Sequence, residues 1–315
     1  MAESQRAIEV RDLHKEFPGG VAVDGLSFEV NQGEIFGLVG PDGAGKTTTL
    51  RMIAGVLAPD SGSATVAGAD IVADPEGAKP LISYMPQRFG LYEELTVNEN
   101  IRFYADIFGI ARQQRIKRAP ELLQAAGLGP FGDRRAGQLS GGMKQKLGLV
   151  CALIHTPKVI LLDEPTNGVD PVSRRDFWRI LYELVGQGVA ILTSTAYLDE
   201  AERCHRVALL HEGRLLFCDT PAELKKHLPG AVLAVVSAQP ERVQKALAEA
   251  EGIATMVLVG DGLHLVVDDA QRRIEELRSR LSAAGAPFDS IEQVTPTVED
   301  LFVAAVEKEK GKARN

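Results

Sequence analysis

The chain has no apolar run of the roughly 20 residues that a membrane-spanning helix needs. Residues 1–6 are polar and lack the apolar stretch of a secretion signal. Any link to a membrane is therefore expected to run through a separate protein. Cysteine is scarce. Cys151, Cys204 and Cys218 are an odd, scattered set, which speaks against a disulfide framework and suits a reducing cytoplasm. Cys204-His205 could be half of a metal site, but no second pair stands at ligand spacing, so both are read as structural. Positive charge is also short. With 35 Lys and Arg against 43 Asp and Glu, the net charge is −8, which argues against nucleic acid as the main partner. No internal repeat and no heptad segment is visible. The 315 residues, 45% of them hydrophobic, suffice for two domains with cores of their own.

Against this plain background one segment stands out: Gly40-Pro41-Asp42-Gly43-Ala44-Gly45-Lys46-Thr47. Residues 34–39 read as a buried strand and 47–54 as the start of a helix, so the glycines fall in a strand-to-helix turn. There the backbone can curl its N–H groups inward onto phosphate oxygens, and the helix N-terminus adds partial positive charge. Lys46 would neutralise the β- and γ-phosphates, the Thr47 hydroxyl would ligate Mg²⁺, and Thr48 would support the α-phosphate side. Residues 159–162 form a second apolar run, suited to a parallel strand buried on both faces. It ends in Asp163, placed to hold a metal opposite Thr47, and Glu164, placed to orient and deprotonate an attacking water. An acidic pair there could equally cap the segment before Pro165; the upstream loop selects the catalytic reading. Leu139-Ser140-Gly141-Gly142 precedes a further helix, residues 143–153, with Ser140 as its N-cap. This second anion-binding helix end lies far along the chain from the first. The economical reading is that Ser140, Gly141 and Gly142 close over ATP bound to another subunit.

These motifs resemble the nucleotide-binding subunit of ATP-binding-cassette (ABC) transporters over residues 8–224. Gly40 to Thr47 is similar to the Walker A loop, Leu139 to Gly142 to the family signature with Met143 where Gln is usual, and Asp163-Glu164 to Walker B with its catalytic base. The resemblance implies further roles: Phe17 stacking on adenine, Gln87 as the Q-loop residue touching Mg²⁺ or the attacking water, and Asp170 as the D-loop residue coupling two sites. It implies a P-loop NTPase of the α/β class, a RecA-like parallel sheet core with an antiparallel β subdomain and a helical subdomain at about 88–155. It implies ATP and Mg²⁺ as ligands and head-to-tail pairing in a homodimer or pseudo-dimer. It also implies a transmembrane permease whose coupling helix meets residues 89–100, where Phe89, Leu91 and Tyr92 would be anchors. The subunit would then sit on the inner face of the cell membrane. One position departs from the pattern. Ala196 stands where the family usually has a His contacting the γ-phosphate. Hydrolysis by Glu164 alone, replacement of the imidazole by Ser194, Thr195 or Tyr197 or by water, and a binding-only subunit all stay open. The intact Lys46, Asp163, Glu164 and Ser140 favour slow but real hydrolysis. A regulatory subunit, an import ATPase and a soluble ABC protein of translation or repair are the competing readings.

The cassette is expected to fill residues 1–228, with antiparallel strands at 8–17 and 26–30. Beyond Pro229-Gly230 the pattern reads β-α-β-β-α-β, a ferredoxin-like α+β domain at 229–315. Its expected strands are 231–236, 255–259, 263–267 and 288–294, with helices at 241–250 and 270–284, a hairpin turn at Asp261-Gly262, a final helix at 298–306 and a solvated charged tail at 308–314. It carries no phosphate loop or catalytic group, so a stability or dimerisation module and a regulatory or docking domain are both open. Thr295-Pro296-Thr297-Val298-Glu299-Asp300-Leu301-Phe302 resembles the tail of daunorubicin-resistance-type efflux ATPases, which implies export of a drug, lipid or ion.

Overall fold

The computed structural model of the protein describes residues 5–88, 90–260 and 262–313. The chain divides into two units, Met1–Cys218 and Asp219–Asn315.

In the first unit, β1 (Arg6–Phe17) and β2 (Gly20–Asn31) pair antiparallel. Ile8, Val10 and Leu13 on β1 and Leu26, Phe28 and Val30 on β2 are buried, as a half-buried sheet requires. Both strands run longer than expected because bulges hide the alternation. The ladder shifts register around Asp12 and Gly25, whose φ values are 47° and 65°. β3 (Ile35–Val39) is buried at every position and leads through the glycine-rich loop to α1 (Lys46–Ile53). β4 (Ser61–Val66) and β5 (Ala69–Asp70) complete an antiparallel sheet of order β2-β1-β4-β5. α2 (Pro75–Ala78) leads to β6 (Ile82–Met85).

The helical region holds α3 (Val97–Ile107), α4 (Arg112–Ala125) and α5 (Gly141–Leu153). α3 opens on a capping box. Thr96 accepts the Glu99 N–H, and the Glu99 carboxylate accepts the Thr96 N–H at 2.8 Å. Ile101, Ala105, Leu123 and Ala126 turn inward, as their helical spacing predicts. Phe108 instead stacks on His155, with ring centroids 3.8 Å apart.

β7 (Val159–Asp163), α6 (Pro171–Gly186), β8 (Ala190–Thr195), α7 (Leu198–Ala201), β9 (Arg206–His211) and β10 (Arg214–Asp219) complete this part of the chain. The six-stranded sheet has the order β10-β9-β3-β8-β7-β6, with β6, β7, β8, β3 and β9 parallel. Phe28 stacks on Phe36 (5.2 Å) in the core between the sheets, where Leu50 and Ile53 of α1 are also fully buried. Each such side chain contributes about 2 kcal/mol. The strand order places the site. Val39 lies opposite Thr195, and Asp163 lies opposite Ser194. The carboxyl ends of β3, β8 and β7 therefore open side by side, the usual ligand crevice of an α/β sheet.

The second unit holds α8 (Pro221–Lys225), β11 (Ala231–Val236), α9 (Pro240–Leu247), β12 (Ile253–Val259), β13 (Gly262–Val267), α10 (Ala270–Ala283), β14 (Ser290–Val294) and α11 (Val298–Ala313). It begins before the expected break at 228 because α8, capped by Thr220, packs on α11. Its antiparallel sheet has the order β12-β13-β11-β14, the split-βαβ arrangement of a ferredoxin-like domain. Leu233, Val235, Leu265 and Ile291 face α9 and α10. The alternate residues Val232, Val257 and Val266 are buried too, and α11 packs on β12 and β13. His264 meets the fully buried Asp300 of α11 at 3.1 Å. The final helix runs past the expected 306 to Ala313, so most of the charge run read as tail is helical; Arg314 lies outside the described residues. So does Asp261 of the expected hairpin turn.

Candidate nucleotide site

Two glycines of the loop after β3 leave no room for a side chain. A Cβ at Gly40 would lie 2.3 Å from the Leu210 carbonyl oxygen, and one at Gly45 2.4 Å from that of Ala22. Gly43 and Gly45 also take φ of 81° and 96°, where glycine is favoured. Gly45 caps α1 without a side-chain bond, and no acidic residue stands in the first turn. The N–H groups there are thus left for an anion, with the helix dipole behind them. Pro41, Asp42 and Gly43 are exposed, Ala44 is buried, and Thr48 is half-buried. Lys46 is only 4% exposed. Its ammonium donates to the carbonyls of Gly40 (2.8 Å) and Pro41 (3.0 Å) and lies 3.3 Å from Glu164 Oε1.

Asp163 is buried at the end of β7. Its Oδ1 accepts from the hydroxyls of Thr47 (2.9 Å) and Ser194 (2.8 Å), and its Oδ2 from Tyr84 (3.3 Å). Burial, reinforced by the Asp163 charge, pushes the Tyr84 phenol above its ordinary range, so it stays a donor. Glu164 follows with φ 47°. Its N–H donates to Ser194 Oγ (3.0 Å) and to the Ser194 carbonyl (3.2 Å). The Glu164 Oε2 accepts from Gln87 Nε2 (2.9 Å) and Asn167 Nδ2 (3.2 Å). Lys46, Thr47, Gln87, Asp163 and Glu164 are therefore brought together, with Gln87 bonded to Glu164 rather than to Asp163.

The remaining expected residues lie as follows. Phe17, at the end of β1, is 42% exposed with Lys15 Nζ 5.6 Å from its ring centroid. Ser140 caps α5, accepting the Met143 N–H at 3.3 Å. Ser140 and Gly141 are exposed, but Gly142 is buried, and a Cβ there would come 2.4 Å from the Ser173 side chain. Gly142 is thus required for the close approach of α5 to α6. Asp170 caps α6, accepting the N–H groups of Val172 (3.1 Å) and Ser173 (2.9 Å). The Ser173 hydroxyl and then its N–H hold the Asp170 carboxyl below its ordinary range. Ala196 is exposed just beyond β8.

Several residues escaped the sequence reading. Glu200, 1% exposed, accepts from Thr166 Oγ1 (2.6 Å), Thr195 Oγ1 (2.8 Å) and Trp178 Nε1 (3.4 Å), with Arg174 Nε at 3.5 Å. Tyr84 and Ser194 join the carboxylate pair across the strand order, while Asn167 reaches Glu164 through a local turn. The sequence offers Ser194 as a replacement for the imidazole; in the structure its hydroxyl donates to Asp163 instead. Among the described residues, no cluster of three metal-ligating side chains of the His, Cys, Asp and Glu kind is present, and Cys204 and His205 serve packing and a backbone contact.

Residues 23–167 match the ABC transporter family model. The chain is 44% identical over 301 residues to YbhF of Escherichia coli (strain K12), a probable multidrug ABC transporter ATP-binding protein, covering 94% of this chain and 51% of YbhF. It thus spans about half the length of that relative. It is 41% identical over 229 residues to the daunorubicin/doxorubicin resistance ATP-binding protein DrrA of Streptomyces peucetius, covering 72% of this chain and 69% of DrrA. A solved ATP-binding subunit of an ABC transporter superposes with a TM-score of 0.64 at 32% identity, over 70% of this chain and 92% of that one. With the loop, the acidic strand end and the capped helix α5 in one fold, these matches make the chain a member of the ABC transporter ATP-binding protein family.

Proposed function

We propose that the protein binds and hydrolyses ATP to power a separate membrane permease, and that the transport is export. The observation that carries the reading is the convergence of Lys46, Thr47, Asp163 and Glu164 at the ends of neighbouring strands. The loop N–H groups and Lys46 bind the phosphates, with Thr48 behind them, and exposed Phe17 offers a face for adenine. Thr47 and Asp163 present oxygen donors 2.9 Å apart, a donor set that fits Mg²⁺, with Gln87 the third residue we assign to it. When bound, Mg²⁺ would neutralise charge on the phosphate oxygens. Glu164, steadied by Lys46 and Gln87, takes the proton of the attacking water.

Two subunits, identical or paired with a homologue, meet head to tail, with Ser140 and Gly141 at the N-terminus of α5 facing the γ-phosphate of the partner and Asp170 near the junction. No helix among the described residues is long and apolar enough to cross a membrane, which supports a separate permease. For its coupling helix we assign the segment after Gln87. Tyr92 there is 44% exposed and Leu91 half-buried, while Phe89 lies outside the described residues. A nearby groove of about 740 Å³, lined by Asn98, Ile101, Ile116 and Leu123, suits an amphipathic helix. The protein would then lie at the inner face of the membrane. Export follows from the tail resemblance and the drug-related names of YbhF and DrrA. A weakly hydrolysing or regulatory subunit is favoured by one observation, Ala196.

Phosphate release from Mg-ATP tests this reading, alongside pull-down from detergent-solubilised membranes. We expect turnover that is lost in Glu164→Gln, a Glu164→Gln dimer at saturating Mg-ATP, and a co-purifying polytopic protein. Parent-rate hydrolysis by Glu164→Gln removes the base. A strictly monomeric Glu164→Gln protein, alone and with membrane partners, removes the motor.

A further inference from the structure

We propose that Tyr197 and Asn167 form a clamp that positions the Glu164 carboxylate through a side-chain relay. The proposal rests on reading Glu164 as the base. Three hydroxyls stand near position 196, and two are already engaged. Ser194 Oγ donates to Asp163 (2.8 Å) and accepts the Glu164 N–H (3.0 Å). Thr195 Oγ1 donates to Glu200 (2.8 Å) and accepts the Tyr197 N–H (3.0 Å). Tyr197 points elsewhere. Its hydroxyl donates to Asn167 Oδ1 (3.2 Å), and Asn167 Nδ2 donates to Glu164 Oε2 (3.2 Å).

This order of donors has a physical consequence. An Asn side chain can turn its amide over and present oxygen in place of nitrogen. Facing a carboxylate, that oxygen would repel. A Tyr hydroxyl that donates to Oδ1 fixes the amide with Nδ2 towards Glu164. Asn167 is itself placed by a turn, its backbone N–H donating to the Glu164 carbonyl at 3.2 Å. Tyr197 is held at both ends. Its N–H is tied to Thr195, and the Arg174 guanidinium lies 4.6 Å from its ring centroid. The chain Arg174, Tyr197, Asn167 therefore ends on the oxygen that Gln87 also contacts, while Lys46 holds the other. A carboxylate gripped on both oxygens loses the rotational freedom that would carry it off an attacking water.

Steady-state phosphate release by the full chain tests the clamp, with Tyr197→Phe, Asn167→Ala and Glu164→Gln made singly and as the two double variants with Glu164→Gln. Losing a neutral hydrogen bond should lower kcat about fivefold in Tyr197→Phe, and losing a bond to a charge about tenfold or more in Asn167→Ala. The KM for ATP should stay within about twofold, because neither residue is assigned to the nucleotide. In the Glu164→Gln background neither change should lower the residual rate further, since both act through that carboxylate. Unchanged kcat in both single variants overturns the clamp. So do equal fold losses in the Glu164→Gln background, which mark a role in the fold instead. Parent-rate turnover by Glu164→Gln removes the base reading, and the clamp with it.

Discussion

Glu200 offers the sharpest test of how the polar interior behind the site is held. Glu200→Ala leaves the hydroxyls of Thr166 and Thr195 without the acceptor they reach at 2.6 and 2.8 Å, and takes from Arg174 a carboxylate at 3.5 Å. Two buried hydroxyls left unsatisfied cost about 1–3 kcal/mol each, so a total near 4 kcal/mol is expected. That is a large part of the roughly 5–15 kcal/mol that holds a domain together. Glu200→Gln keeps the volume and one oxygen, and should cost about half as much. Trp178 makes the assay specific. It is the only tryptophan in the chain, is 2% exposed, and its indole N–H lies 3.4 Å from Glu200, so its fluorescence reports on the first unit. In urea the unfolding midpoint of Glu200→Ala should fall by about 1–2 M, with Gln between it and the parent. A Glu200→Ala midpoint within about 0.3 M of the parent, or a Gln variant as weak as Ala, would refute the reasoning.

Other outcomes are open to direct measurement. Ala196→His should leave ATP affinity by calorimetry unchanged and should raise, or leave unchanged, the rate of phosphate release; a drop in turnover counts against a catalytic place for this position. Burial pushes the thiols of Cys151 and Cys204 well above their ordinary range, so maleimide on the native protein should modify half-buried Cys218 first, as peptide mass mapping would read. The Arg273 guanidinium beside Asp268 holds that carboxyl well below the usual carboxylate range. A depressed carboxylate contributes stability that is present at neutral pH and lost as pH falls through and below its ordinary range. The melting-temperature gap between parent and Arg273→Met should therefore be widest near pH 7 and close below about pH 4; a gap that widens on acidification would reverse the sign.

The parts legible in the sequence are those whose constraint is local. The glycine-rich loop shows itself because backbone curvature, a lysine and a helix start must follow one another directly. Ser140 and Thr220 are readable as caps for the same reason, as is the β-α-β-β-α-β order of the second unit. The network around the carboxylates is not local. Tyr84 and Ser194 reach Asp163 only through the order β8-β7-β6, which no single segment encodes. Glu200 has no local sequence signal for burial; only the fold brings Thr166, Thr195 and Trp178 around it. Gly142 looked like part of an anion nest, but its missing Cβ also makes space for Ser173. The bulges at Asp12 and Gly25 blurred a period of two that the strands otherwise keep.

With Glu164 as the proposed base, its left-handed backbone sets folding and chemistry at odds in one residue. A side chain with a Cβ is ill at ease at φ 47°, and such a conformation stores on the order of 1 kcal/mol. Glycine would relax it while deleting the carboxylate. Directed evolution for heat resistance alone should therefore drift towards a sturdier but inactive protein at this position, and only selection that demands turnover would keep the acid in place.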